Sequence, residues 1–292
     1  MKKVGVITDS YGGITQEEAC KAGVSILPMP FYFGDESYYE GVTITREEFF
    51  TRLAAGEQVS TTQPSPEDVM NVWRAGLKEY DEIVYLPLSS GLSGACNTAM
   101  VLAQEEEFEG KVFVTDVGRI ATPMHRSILD ALELIAEGYD AAQIKEILEK
   151  SKEKMAIFIA VETLEYLKKG GRITPAAAAV GSLLNIKPIL TLSVGVLGSY
   201  KKSRGMKKAR KEMLEAMKNE LETTFKEYYE KGEVYLMAAS SADEETTKGW
   251  VDEIEEAFPG MKVMCDDLSL GIACHTGEGA LGIGCSCRPD RR

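Results

Sequence analysis

The sequence predicts an α/β protein of two domains, the first of them built on a mainly parallel sheet. Three observations lead there. Apolar runs of strand length alternate with amphipathic stretches through the first half, the order that produces parallel strands joined by crossover helices. Several of the amphipathic stretches open on a hydroxyl or carboxylate residue placed to cap a helix. A chain of 292 residues, 44% hydrophobic and 27% charged, has the composition of a packed globular protein and the length of two ordinary domains.

Taken in order, residues 4–8 form the first strand. Thr15 and Glu18 make a capping box that starts a short helix. Residues 25–33 are an apolar run with two prolines, so an irregular or edge strand is expected, and residues 34–38 form a turn. Thr45 and Glu48 make a second capping box. Ser65-Pro66-Glu67-Asp68 unites an N-cap, a proline in the first turn and early acids, which marks a helix start. Residues 83–88 are a buried strand that runs directly into Ser89-Ser90-Gly91-Leu92-Ser93-Gly94 and a helix. Residues 112–115 are a further strand, ahead of a helix near 126–137. Gly138-Tyr139-Asp140 is the clearest linker-like break, and Asp140 caps a helix running to about Lys154. The domains are therefore set at 1–154 and 155–292. The second half opens on an apolar strand at 155–161 and a short helix at 163–169. A small-residue apolar stretch follows at 175–184, then strands at 188–196 and 234–239. Helices are expected at 207–231 and 244–257, and a last strand at 263–266.

Composition removes several classes. A net charge of −13 disfavours nucleic-acid binding, which needs a positive footprint. No apolar run approaches the roughly 20 residues of a membrane span. The two N-terminal lysines precede only a short apolar stretch, which reads as a strand rather than a signal peptide. Six scattered cysteines do not make a disulfide framework, so a reduced, cytoplasmic protein is expected. Cys265, Cys274, Cys285 and Cys287 gather in sequence near His275. The Cys285-Ser286-Cys287 spacing is not that of a zinc knuckle, so no metal is expected.

Polar chemistry collects in three segments. In "STTQPSP" (60–66), Thr61, Thr62 and Gln63 come just before the helix capped by Ser65. In "LSSGLSGACNTA" (88–99), Ser89, Ser90 and Ser93 flank a helix N-terminus. In "CHTGEGALG" (274–282), His275 lies among glycines. Ligands of open α/β sheets gather at the carboxyl ends of strands, where helix N-termini offer free N–H groups. The set suits a carboxylate or a phosphate, although the same residue types also serve as plain caps and turns. Ser93 with His275 is open to a second reading, a serine hydrolase. Gly91-Leu92-Ser93-Gly94-Ala95 approaches the nucleophile elbow, but its second glycine follows the serine directly, and Asp266 or Asp267 would have to be the orienting acid. His125, the other histidine, reads as a surface or cap residue. Ser10-Tyr11-Gly12-Gly13 matches neither a Rossmann nor a Walker loop. Residues 201–211 carry seven basic residues in eleven, at a helix start where cations oppose the dipole. The plain reading is a solvated face. The functional one is docking of an acidic partner or phosphate, with Arg172 on the same surface.

With these segments in hand, the chain resembles the DegV family, the fatty-acid-binding group that includes the FakB carrier subunits of bacterial fatty acid kinase. "VITDS" (6–10) is similar to the family's opening strand, and "LPMPFYFGDESYYEGVTITREEFF" (27–50) to its Pro-Leu…Tyr-x-Asp-Gly segment. "TTQPSP" (61–66) resembles T-S-Q-P-S-P, and "LSSGLSGACNTA" resembles S-S-x-L-S-G-T-Y-x-S-A. "LEYLKKGGRI" (164–173), "LLNIKPIL" (183–190) and "HTGEGALG" (275–282) complete the order. No one motif is decisive, but seven in sequence order are specific.

The resemblance implies two α/β domains, the second with a mixed or antiparallel sheet and helices, and one acyl chain buried between them. It implies that Thr62, Ser93 and His275 hold the ligand carboxylate, with Thr61, Gln63 and Gly94 in support. It implies that Arg172 and Arg204 meet a kinase partner or its phosphate. No cofactor and no catalysis by this chain alone are implied. The subunit presents a fatty acid to a fatty acid kinase, with transient membrane contact for lipid exchange. Burial is worth about 0.8 kcal/mol per methylene, so a chain of about 15 methylenes gains on the order of 12 kcal/mol before ordering costs. Such a ligand requires a carrier. The chain departs from the family pattern at Gly13, where aspartate is common, at Val114-Thr115-Asp116-Val117-Gly118-Arg119, where V-x-D-S is common, and at Cys285-Ser286-Cys287.

Overall fold

The computed structural model describes residues 2–173, 185–193 and 196–291. The first half contains β1 (Val4–Asp9), α1 (Gln16–Ala22), β2 (Val24–Leu27), β3 (Phe31–Phe33), β4 (Glu36–Tyr38), α2 (Arg46–Ala54) and β5 (Val59–Thr61). It continues with α3 (Pro66–Gly76), β6 (Glu82–Leu86), α4 (Ala95–Leu102), β7 (Val112–Val114), α5 (Ala121–Ala136) and α6 (Ala141–Lys150). Four strands make a wholly parallel sheet in the order β2-β1-β6-β7. All six residues of β1 and all five of β6 are buried, as expected for central strands covered on both faces.

The second half contains β8 (Met155–Ala160), α7 (Glu165–Lys169), β9 (Ile186–Ser193), β10 (Val196–Arg204), α8 (Met206–Glu222) and α9 (Lys226–Glu230). After these come β11 (Val234–Ser240), α10 (Glu244–Ala257), β12 (Val263–Asp267), α11 (Leu270–Thr276) and β13 (Leu281–Cys287). Its six strands run β10-β9-β8-β13-β11-β12, antiparallel except for the β11–β12 pair. The α/β class, the parallel first sheet and the mixed second sheet are as the sequence predicts.

The caps explain most helix starts. Thr15 and Asp140 form complete capping boxes with Glu18 and Gln143, and Ser65 accepts from the Asp68 N–H with Pro66 in the first turn. The box at Thr45 is only half made: its hydroxyl accepts from the Glu48 N–H at 3.2 Å, with no return bond.

Several expectations change. The strand expected over 188–196 covers the end of β9 and the first residue of β10, and the strand expected as the last is followed by β13. The apolar run at 25–33 is not one strand. Pro28 and Pro30 interrupt it, and its ends join different sheets, β2 in the parallel one and β3 in a separate antiparallel sheet ordered β4-β3-β5. Residues 34–38 turn only at their start and then form β4. The helix expected near 126–137 starts earlier, at Ala121, whose amide donates to the Tyr11 carbonyl at 2.8 Å. The helix expected over 207–231 breaks at Thr223, which leaves helical geometry at φ −120°. The apolar stretch at 175–184 lies outside the described residues.

The two halves share a core. Tyr11, Met29, Leu88 and Ala121 from the first half pack with Val161, Leu164, Leu167, Leu190, Ala239, Leu268, Ile272 and Ala280 from the second. The small β3–β5 layer also reaches across. Phe31, Phe33, Ile44, Phe49 and Leu53 bury Leu270, Ala273 and Cys274 of α11. Glu40 accepts the Leu270 N–H at 2.8 Å, and Arg46 donates to the Leu268 carbonyl at 2.9 Å. The helix that carries His275 is thus fastened by residues more than two hundred positions away.

Candidate functional site

The three polar segments meet. Thr61 ends β5, Ser93 stands two residues before the start of α4, and His275 lies in the last turn of α11. Thr61, Thr62, Ser93, Arg172 and His275 line one end of a cavity whose other walls there include Tyr11, Met29 and Leu88. Thr61 Oγ1 is 2.9 Å from His275 Nε2. Ser93 Oγ accepts the Ala95 N–H at 3.2 Å.

His275 is not at a strand-to-helix turn, as its glycine-rich setting suggests. It closes a helix, and Gly277 (φ +73°) terminates that helix by entering a backbone region that favours glycine. A β carbon on Gly277 would fall 2.6 Å from the Tyr166 ring, so this glycine serves helix termination and packing. The glycine that shapes the site is another one, Gly170. A β carbon there would fall 2.0 Å from His275 Nδ1.

Burial disfavours the charged imidazolium and, with the Arg172 guanidinium nearby, lowers the His275 pKa to about 4. The ring is therefore neutral at neutral pH. Its Nδ1 is buried and has no hydrogen-bond partner. Arg172 is held by its own turn, donating to the Gly170 carbonyl at 2.6 Å.

Asp9 stiffens the same region. It ends β1, is 1% exposed, and accepts from the Leu88 N–H at 2.6 Å and the Tyr11 N–H at 2.9 Å. Burial raises its pKa to about 6 against these two bonds. It ties the loop before Ser93 to the Tyr11 loop. Tyr11 packs edge-on where any side chain at Gly271 would collide, its ring 2.3 Å from a β carbon there. Neither Asp9, Tyr11 nor Gly170 is singled out by sequence reasoning. The only signal was the polar "DSYGG" turn directly after a buried strand.

The arrangement does not assemble a serine hydrolase. His275 Nε2 pairs with Thr61 rather than Ser93, and no acid holds Nδ1. Asp266 is engaged elsewhere, 3.1 Å from His125 Nδ1. That contact also corrects the reading of His125 as a surface or cap residue: it is 5% exposed and bridges α5 to β12.

Gln63 turns away from the cavity lining, its Oε1 accepting from the Thr98 hydroxyl at 3.1 Å beside Gly94. Gly94 lines an open cleft with Ser90, Ser93, Gly171 and Arg172, the mouth of the site. Arg204 is not on the surface of Arg172. It lies at the far end of β10 in a separate exposed cleft with Lys207, Lys208 and Lys211. Leu197, near the start of β10, lines the His275 site.

Behind the polar end the cavity is apolar. Leu92, Ile120, Leu167, Leu197 and Ile272 line both the polar end and an inner stretch walled by Ile157, Ile159, Leu190, Leu192, Met237 and Leu268. The two stretches hold about 70 and 80 Å³, together room for about five waters at the roughly 30 Å³ each takes in the liquid. An apolar chain with an anionic end matches this polarity.

Fold and site together define an α/β protein of two main sheets with an apolar channel that ends on hydroxyls, a neutral histidine and an arginine. The chain belongs to the DegV family, whose family model, described as an uncharacterised protein family, matches residues 3–287. A DegV domain-containing protein of Deinococcus radiodurans is 29% identical over 283 residues, covering 96% of this chain and 97% of its own. A DegV family protein from Thermus thermophilus described as binding fatty acid is 31% identical, with a TM-score of 0.86 over 98% of this chain and 99% of its own. The Bacillus subtilis DegV, described as a fatty acid binding protein, is 26% identical with a TM-score of 0.85, covering 98% and 100%.

Proposed function

We propose that this chain binds one long-chain fatty acid in the channel between its two sheets and presents the carboxylate to a fatty acid kinase for acyl-phosphate formation. The observation that carries the reading is the continuity of an apolar channel with Thr61, Thr62, Ser93, Arg172 and His275. Binding is supported by the burial an acyl chain gains there, about 0.8 kcal/mol per methylene. A carboxylate end group is supported by hydroxyl donors and one guanidinium, and by the absence of any activated nucleophile among the described residues. In this reading Thr62 and Ser93 hold the carboxylate together with Thr61, and His275 acts on the ligand through Thr61, whose hydroxyl lies 2.9 Å from its Nε2. Gln63 and Gly94 shape the mouth rather than touch the ligand. The chain is a carrier and not itself an enzyme.

The kinase part rests on the cleft at Ser90, Gly94 and Arg172, which opens the carboxylate end to solvent, and on the basic cleft at Arg204. The two arginines then contact the partner at separate places. A cytoplasmic location and brief membrane contact for lipid exchange belong to the same reading. So does a boundary between residues 154 and 155, supported by the start of β8 at Met155.

Organic extraction of the purified protein followed by mass spectrometry tests the binding. A long-chain fatty acid is expected in the extract of wild type and a reduced amount from His275→Ala at unchanged fold. No acid in the extract and no uptake of added acid would reject the proposal. Arg204→Glu is expected to lower kinase-dependent acyl-phosphate formation while the bound acid is retained. Normal turnover in that variant would remove Arg204 from the partner surface.

A further inference from the structure

The channel wall on β13 differs from the rest of that strand, which reads Leu281-Gly282-Ile283-Gly284-Cys285-Ser286-Cys287. Alternation puts Leu281, Ile283, Cys285 and Cys287 on the face that packs in one core with α8 and α10 residues such as Met213 and Trp250. Gly282 and Gly284 lie on the face toward the apolar channel. Neither has a positive φ. A β carbon at Gly282 would meet nothing closer than 3.5 Å, and at Gly284 nothing closer than 3.3 Å. Backbone conformation therefore demands glycine at neither position, and at Gly282 collision does not either; at Gly284 the approach to the Ala156 carbonyl is tight, and a side chain there requires β8 to give by a few tenths of an ångström, although glycine weakens a strand relative to alanine. What the two glycines provide is room on the channel side.

Strand register orders this wall by depth. Gly282 stands between Ile159 and Ala239, and Gly284 between Ile157 and Met237. The second row is two residues further along the strand from the His275 end, about 7 Å deeper. The lining around His275 contains none of these six residues, whereas the apolar stretch contains all of them. Pro123, from the first turn of α5, stands across from the second row, its Cγ 3.5 Å from the β-carbon position of Gly284.

We infer that the row Ile157–Gly284–Met237, faced by Pro123, is the end stop that sets the length of acyl chain this protein accepts; the inference rests on the fatty-acid reading above. Any side chain larger than hydrogen at Gly284 occupies the last part of the channel. Shortening Met237 extends it.

Lauric, myristic, palmitic and stearic acids titrated into delipidated wild type, Gly284→Val and Met237→Ala test this. In Gly284→Val the affinity for stearic and palmitic acid is expected to fall relative to lauric acid, by about four-fold for each methylene that no longer fits. In Met237→Ala the preferred length shifts the other way. Gly284→Ala, the gentler change, gives a smaller shift in the direction of valine and serves if the valine variant does not fold. A Gly284 variant that melts earlier but weakens all four acids equally would assign the glycine to packing beneath Pro123 and overturn the inference. Unchanged chain-length profiles in both folded variants, with wild type binding normally, would remove the end stop alone. A wild type that binds none of the four acids would take the fatty-acid reading down with it.

Discussion

Two buried groups at the two sides of the site titrate in opposite senses, and their contributions to acid stability nearly cancel. His275 falls from 6.5 to about 4 on folding, because burial and the Arg172 charge disfavour its cation. The unfolded chain therefore takes up the proton first, and stability is lost as pH falls from about 6.5 to about 4. At about 1.4 kcal/mol per pH unit that loss reaches about 3 kcal/mol. Asp9 rises from 3.8 to about 6, because burial outweighs its bonds from Leu88 and Tyr11. Here the folded chain takes up the proton first. Its burial penalty is present above about pH 6 and is relieved as pH falls toward 4, a gain of about 3 kcal/mol.

In wild type the two contributions offset each other through this window. Removing one leaves the other uncompensated. Urea unfolding of delipidated protein at several values between about pH 7 and pH 4 reads the effect as a difference from wild type, which cancels the other carboxylates. His275→Gln should gain about 3 kcal/mol relative to wild type on acidification, and Asp9→Asn should lose about as much. A His275→Gln difference that stays constant with pH would refute the low pKa. It would also refute the claim that the site holds a neutral ring.

Two further outcomes follow from contacts at the same ring. Gly170→Ala places a methyl 2.0 Å from His275 Nδ1, so the imidazole must move. A stability loss of about 1–3 kcal/mol, read by thermal unfolding, is expected together with weaker fatty-acid binding. Thr61→Val removes the hydroxyl at 2.9 Å from Nε2. Thr61→Val and His275→Ala should each weaken binding, and the double variant should be no worse than the poorer single, measured by titration calorimetry; additive losses would mean the two act separately.

Local signals and distant contacts were not equally legible in the sequence. The caps at Thr15, Ser65 and Asp140 could be read because a capping residue and its target amide are three positions apart. The three polar segments could be found because hydroxyls cluster at turns. What could not be read were the pairings across the chain. Thr61 and His275 are 214 positions apart, and nothing near either residue names the other. The same holds for Asp266, which adjoins the site in sequence yet pairs with His125, 141 positions away. The β3–β5 sheet was missed for a related reason. Its strands are three residues each, too short to show a period, and they are held by Phe31, Phe33 and Phe49 rather than by length. Gly170 illustrates the limit most sharply. It sits in an ordinary helix-ending Gly-Gly, and only the fold shows that its missing side chain is the space His275 occupies.

The neutrality of His275 also decides which group faces the ligand. A neutral imidazole has one N–H and one acceptor nitrogen. If Nε2 accepted from Thr61, the N–H would sit on Nδ1, buried against Gly170 with no acceptor. An orphaned buried N–H is among the costliest and rarest unpaired groups, while an unpaired lone pair is better tolerated. The favoured tautomer carries its proton on Nε2 and donates to the Thr61 oxygen. The Thr61 hydroxyl proton is then free to point into the channel mouth. In the proposed complex Thr61 is thus the direct donor to the carboxylate and His275 the group that orients it, while Arg172 supplies the positive charge. In this reading the site binds an anion without a charged histidine.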